Sequence, residues 1–219
     1  MTRPLPTITP LGESAVTLSW GTTVSPDLNV LVHRTARSIH AARLPQVVDV
    51  VPAYAALTVF YDPLHLDYEA MAARLGEIAA AAGDPDPASD SRTDHEIPVV
   101  YDGPDLEEVA RQTGLRIPEI VARHSAREYQ VYLLGFVPGF AYLGELDPAL
   151  VVPRHGSPRK RIPAGSVAIA GAQTAVYPLD TPGGWHLIGH TPVTLFDPTR
   201  TPAALLAPGD RVRFVVAAP

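Results

Sequence analysis

The strongest chemical signal in this sequence is a local reversal of charge. Between Pro148 and Leu179 there is no acid, yet Arg154, Arg159, Lys160 and Arg161 all fall there, in a chain of formal net charge −6. Arginine grips carboxylate or phosphate with a planar fork of donors, so such a segment is a candidate anion site. The alternative is a solvated loop whose cations pair with remote acids. Pro153, Gly156, Pro158 and Pro163 would hold these side chains on a shaped loop. Lys160 is the only lysine of the chain.

A second signal is the run Gly135–Gly144, in which Phe136, Phe140 and Tyr142 sit among three glycines and a proline. Glycine lets a backbone approach a ligand closely, and the rings would form an apolar wall. The same rings would equally serve as plugs of a loop covering the core. A third signal is Pro182-Gly183-Gly184-Trp185-His186, where a tight turn feeds a tryptophan into a strand, either as core or as a ligand platform.

Of the eight histidines, His33, His40, His65 and His95 read as surface positions. His124 closes a helix, where imidazolium is favoured. It is expected either to move a proton or meet an anion, or to cap terminal carbonyls. His186 and His190 would share a strand face, but no third metal ligand is evident, and no metal site is expected. A Walker phosphate loop, a Gly-x-Ser-x-Gly elbow and a His-Glu-x-x-His motif are all missing. The glycine spacing of Gly165–Gly171 is wrong for dinucleotide binding.

These residues need elements to position them. Ser14–Trp20 reads as a strand, and Ser25-Pro26-Asp27 as a helix start followed by Leu28, Leu31, Val32, Thr35, Ala36 and Ile39 at helical spacing. Gln46–Val51 and Ala55–Tyr61 read as strands and Tyr68–Ala82 as a second helix. The order β-α-β-β-α suggests a ferredoxin-like α/β domain over residues 1–88. Gly83–Asp94 reads as a linker. Glu96–Tyr101 is a strand that either completes this domain or opens the next. Helices follow at Asp105–Thr113 and Pro118–Ala126. Beyond them lie short β-rich pieces at Tyr129–Leu134, Ser166–Ala170, Thr174–Tyr177, Trp185–Ile188, Val193–Phe196 and Arg211–Val216. Such closely spaced strands with Gly/Pro turns indicate a small barrel or sandwich over residues 89–219, and an α+β chain overall.

Composition narrows the function. With 46% hydrophobic and 18% charged residues the chain is globular. The absence of cysteine excludes disulfides, thiolate metal sites and a cysteine nucleophile, and suggests the cytoplasm. An acidic balance argues against nucleic acid and anionic membranes as partners. No signal peptide or membrane span is read in the sequence.

At three motifs the chain resembles a known family. GFVPGFAYLGEL, PRHGSPRKRIPAGSVAIAGAQT and YPLDTPGGWHLIGHTPV are similar to the family of 5-oxoprolinase B subunits, also described as the allophanate hydrolase subunit 1 domain and including KipI-like kinase inhibitors. LGESAVTLSWG and VPAYAALTVFYDP agree with its N-terminal part. The resemblance implies an α/β domain followed by a cyclophilin-like β-barrel. It implies the A and C subunits of the enzyme as partners, the latter in direct contact through the Phe136–Tyr142 loop or the barrel edge. It also implies ATP-dependent cleavage of 5-oxoproline to glutamate. His124, Arg159 and Gln173 are the implied catalytic residues. Phe136, Phe140, Tyr142, Arg154, Lys160, Ser166, Tyr177, Trp185 and Thr191 are the implied substrate-binding residues. Glu145, Ala175 and His190 depart from the family pattern. The competing expectation is a non-catalytic inhibitor of a sensor histidine kinase; the shared motifs do not separate the two.

Overall fold

The computed structural model describes residues 4–82 and 92–218. The chain divides into two compact units, Met1–Ser91 and Arg92–Pro219. The expected boundary at 88/89 and most of the Gly83–Asp94 linker lie outside the described residues.

The first unit contains β1 (Thr7–Pro10), β2 (Ala15–Ser19), α1 (Pro26–Ala42), β3 (Val47–Pro52), β4 (Ala56–Tyr61) and α2 (Tyr68–Ala81). The expected β-α-β-β-α run is present. The antiparallel sheet has the order β1-β2-β4-β3, so the place beside β2 is taken by a strand that precedes it in sequence. A ferredoxin-like domain would fill that place with a strand after α2. Pro26 opens α1 with its fixed φ, but Ser25 makes no side-chain cap bond, whereas Asp67 caps α2 by accepting from the Ala70 amide at 2.8 Å. Val32, Ile39, Met71 and Leu75 pack against Val16, Leu18, Leu57 and Val59 to form the core. His33 is buried on the same face of α1 as Asn29, contrary to the surface position read from sequence.

The second unit is built on a seven-stranded sheet of order β12-β9-β10-β7-β6-β13-β5. Its strands are β5 (Asp94–Val99), β6 (Glu128–Leu134), β7 (Ala141–Gly144), β9 (Ser166–Ala170), β10 (Gln173–Val176), β12 (His186–His190) and β13 (Arg211–Val216). The strand read at Glu96–Tyr101 corresponds to β5, which pairs with β13 in parallel and opens this second unit. Just beyond β5, Val100 exchanges backbone hydrogen bonds of 2.9 Å with His190 at the end of β12, which nearly closes the sheet into a barrel. Helices α3 (Leu106–Thr113) and α4 (Ile117–Ser125) follow β5. Val99, Val109, Ile120, Val131, Leu143, Ile169, Ile188 and Phe214 join one core. His95, read as a surface position, is partly buried and lies 3.0 Å from Asp210 Oδ2.

β9 is buried along its whole length. Val167 and Ile169 belong to the barrel core, whereas Ala168 and Ala170 join a second cluster with Phe140, Ile162, Tyr177 and Trp185. A two-stranded sheet, β8 (Arg159–Ile162) with β11 (Thr181–Gly183), contributes to this outer layer. Period-2 alternation thus sends β9 side chains into two different cores. Val193–Phe196 forms no strand among the described residues; Phe196 makes only an isolated bridge to Ala204.

Candidate functional site

The loop between β6 and β7 folds back on itself. Phe140 donates its amide to Val137 O at 3.1 Å, and Gly135 donates to Phe140 O at 3.1 Å. Gly139 has φ +78°, and a Cβ there would lie 2.7 Å from Phe196 Cβ, so a side chain is excluded on both counts. Phe136 holds φ +70°, a left-handed conformation unusual for a bulky residue, and the residue is 59% exposed. The loop thereby presents one aromatic ring to solvent and drives the next inward. Phe140 is buried, with ring centroids of Tyr142, Tyr177 and Trp185 at 4.9, 5.2 and 5.7 Å, all edge-on.

These rings wall a cleft of about 270 Å³, completed by Phe136, Arg154, Pro158, Pro182, Gly183 and Gly184. Gly183 is required for close approach: a Cβ there would lie 2.4 Å from the Tyr177 hydroxyl. Burial raises the Tyr177 pKa, so that hydroxyl stays protonated at neutral pH. The guanidinium carbon of Arg154 sits 5.9 Å from the centre of the Trp185 ring. Among the described residues Arg154 has no carboxylate partner. One cation against an aromatic wall is suited to a small organic monoanion.

The other cations of the basic segment are placed differently. Arg159 donates from Nη2 to Asp105 Oδ1 at 2.5 Å. Arg161 pairs with Asp180. Lys160 is exposed on β8. Burial by itself would raise the Asp105 carboxyl, but its bonds to Arg159, to the Leu187 amide and to His155 hold it below the ordinary aspartate value. Asp105 is therefore the remote acid that the basic segment reaches. Sequence reading took Asp105 only as the first residue of a helix; in the fold it flanks α3 without making a side-chain cap bond.

Several other expected site residues do not line the cleft. Ser166 donates its hydroxyl to Pro163 O at 2.7 Å, and buried Thr191 accepts from the Val193 amide at 3.2 Å. Both stabilise turns. Gln173 is half-buried at the start of β10, opposite Ala170. His124 is fully buried and stacks on Phe214 at 4.7 Å. Thr174 donates its hydroxyl to Ala168 O, so it accepts from His124 Nε2 at 2.8 Å, and His124 Nδ1 then accepts from the Tyr101 hydroxyl at 2.7 Å. This network fixes a neutral imidazole. Burial lowers its pKa to about 3. The expected imidazolium is thus corrected, because desolvation outweighs the helix C-terminus.

His190 is exposed and lies 2.8 Å from Asp102, while His186 is buried at the other end of β12, past a register shift. The two do not act as a pair. His186 instead meets His155, with ring centroids 3.9 Å apart.

Comparison with known proteins agrees with this architecture. Residues 6–206 match the family profile of the carboxyltransferase domain, subdomain C and D. The chain is 42% identical to the B subunit of 5-oxoprolinase from Bacillus subtilis (strain 168), over 94% of this chain and 90% of that protein. It is 44% identical to the B subunit of 5-oxoprolinase from Escherichia coli O157:H7, over 94% and 93% respectively. Among solved structures, TTHA0988 matches with a TM-score of 0.83 at 42% identity over 94% of this chain, which spans 40% of that longer one. No helix among the described residues is long and apolar enough to cross a membrane. The barrel, the three motifs and this extent of identity place the chain in the family of 5-oxoprolinase B subunits, within the carboxyltransferase-domain subdomain C and D group.

Proposed function

We propose that this chain is the B subunit of an ATP-dependent 5-oxoprolinase, works in the cytoplasm with the A and C subunits, and is inactive alone. The observation that carries the reading is Arg154, a cation without a carboxylate partner among the described residues, over Trp185 in an aromatic cleft. 5-Oxoproline is a five-membered lactam bearing one carboxylate. Arg154 would take the carboxylate, and Phe140, Tyr142 and Trp185 would enclose the ring. Tyr177 can donate a hydrogen bond from the cleft wall.

Hydrolysis breaks the lactam C–N bond and adds the elements of water to give glutamate. The amide is unstrained, so activation by ATP supplies the driving force. A single lining cation does not suit a triphosphate. No step involving ATP is therefore assigned to this chain; its own residues bind and orient the substrate. The exposed Phe136 beside the cleft is the proposed contact to the C subunit.

The test is ATP-dependent release of glutamate from 5-oxoproline by the three subunits together, with each omitted in turn. Release is expected only from the full set. Turnover by this chain alone, or undiminished turnover without it, would overturn the proposal.

A further inference from the structure

We propose that Asp105, His155 and His186 form a binding site for a divalent transition-metal ion, with zinc the best match. Among the described residues these are the one group of three metal-ligating side chains whose donor atoms converge, all within 4.8 Å of one another. The group is distinct from the aromatic cleft and from the cleavage chemistry proposed above.

Three features favour a metal over an ordinary polar cluster. The first is an orphaned atom. His186 is 1% exposed, and its Nε2 lies 2.9 Å from Pro153 O, which can only accept. Nε2 therefore carries the proton and Nδ1 carries a lone pair. That Nδ1 is buried and has no hydrogen-bond partner. A buried acceptor left unpaired is costly, and a metal ion satisfies it.

The second feature is a spacing. His155 Nε2 lies 3.4 Å from Asp105 Oδ2, long for a good hydrogen bond. Ligand atoms ~2.0–2.2 Å from a tetrahedral zinc are themselves ~3.4 Å apart. The third is the outer shell. A metal-bound histidine usually donates its other ring nitrogen to a carbonyl, as His186 does to Pro153, and a metal-bound carboxylate is usually held by further donors. Asp105 is held by Arg159 at 2.5 Å and by the Leu187 amide at 2.7 Å. Imidazole and carboxylate together suit zinc better than a hard cation such as magnesium.

The consequence is mechanical. His155 and His186 each directly follow a cleft residue, Arg154 and Trp185. A metal would join the loop after Val152 to the start of α3 and to β12. It would fix the neighbours of those two residues without touching substrate.

The test is titration of chelator-treated full-length chain with Co²⁺, read by visible absorption, then Zn²⁺ competition and thermal melting. Saturable uptake of one Co²⁺ per chain, with the strong bands of a four-coordinate ion, and a raised Tm are expected. His186→Ala and His155→Ala should each weaken binding by more than the roughly 10–100-fold that loss of an outer-shell partner costs. His155 is partly exposed, so its variant should fold even where His186→Ala does not. His190→Ala should bind like the parent. A bound water could also satisfy His186 Nδ1; in that case neither ion binds saturably nor shifts Tm, and the proposal fails. Binding that survives in His155→Ala would equally overturn it.

Discussion

Arg154 and Arg159 lie on the same basic segment, and nothing in the residue pattern separates them. In the fold, one leans over Trp185 in an aromatic cleft, and the other binds a largely buried aspartate. The difference teaches that a cation's role is set by whether the fold has already supplied its anion. Arg159 has its counter-ion built in and belongs to the architecture. Arg154 has no such carboxylate among the described residues, which is why we propose that it meets a ligand.

This contrast can be broken most directly at Arg159. Arg159→Ala leaves Asp105, 7% exposed, without its arginine, with only the Leu187 amide and His155 beside the carboxylate. The guanidinium is itself about a third exposed, so the loss should be about 2–3 kcal/mol, below the range for fully buried pairs. Chemical denaturation is the measurement; a loss below about 1 kcal/mol would show that Asp105 is solvated and the contrast unfounded.

Arg154→Ala should do the opposite. Stability should stay within about 0.5 kcal/mol. In the assembled enzyme kcat/KM for 5-oxoproline should fall about 10- to 150-fold, the worth of a charged hydrogen bond of about 1.5–3 kcal/mol. Arg154→Lys should recover only part of this, since lysine lacks the planar fork. Parental kinetics in Arg154→Ala would remove the anion from the cleft.

A third prediction sharpens the same lesson with His124, another group whose partners are internal. Its folded pKa of about 3 lies below the ordinary imidazole value of 6.5. Between these values the unfolded chain holds the proton and the folded chain does not. Stability should therefore decline as pH falls from about 6.5, by ~1.4 kcal/mol per pH unit from this group. Asp105, with its depressed pKa, acts in the same direction at lower pH: its contribution is full above the unfolded carboxyl value and is lost as pH falls through the folded one. His124→Gln should flatten the slope between about pH 4 and 6.5. An unchanged slope would mean that the ring titrates normally.

The smallest effect is expected at Lys160. It is exposed on β8, beside paired Arg159 and Arg161. Lys160→Ala should alter stability and transition-state binding by no more than about 0.5 kcal/mol each. A Lys160 effect on kcat/KM larger than that of Arg154 would reassign the anion site.

Much of the scaffold was legible because it depends on local pattern. Helical spacing located α1 and α2, the helices read at Asp105–Thr113 and Pro118–Ala126 match α3 and α4, and β-rich runs located β2, β4, β6, β9 and β13. Four of the shortest strands escaped: β1, β7, β8 and β11 are too short to show alternation, and β8 looked like a charged loop, although β10, equally short, was read at Thr174–Tyr177. The aromatic wall was also legible, since Phe136, Phe140, Tyr142 and Trp185 cluster in two Gly/Pro-rich motifs.

Local pattern and motifs along the chain were enough for the two-unit α+β plan, the family, and the residue types available for an anion site. Which arginine of the basic segment lacks a carboxylate among the described residues is set by the tertiary structure, because Asp105 reaches Arg159 across 54 residues. Only it decided that His124 is neutral, because desolvation depends on what packs around the ring. It also replaced His190 with His155 as the neighbour of His186, since a register shift in β12 and a loop from elsewhere set that meeting. Spacing along the chain carries no information about such pairings; they arise when distant segments share one buried volume.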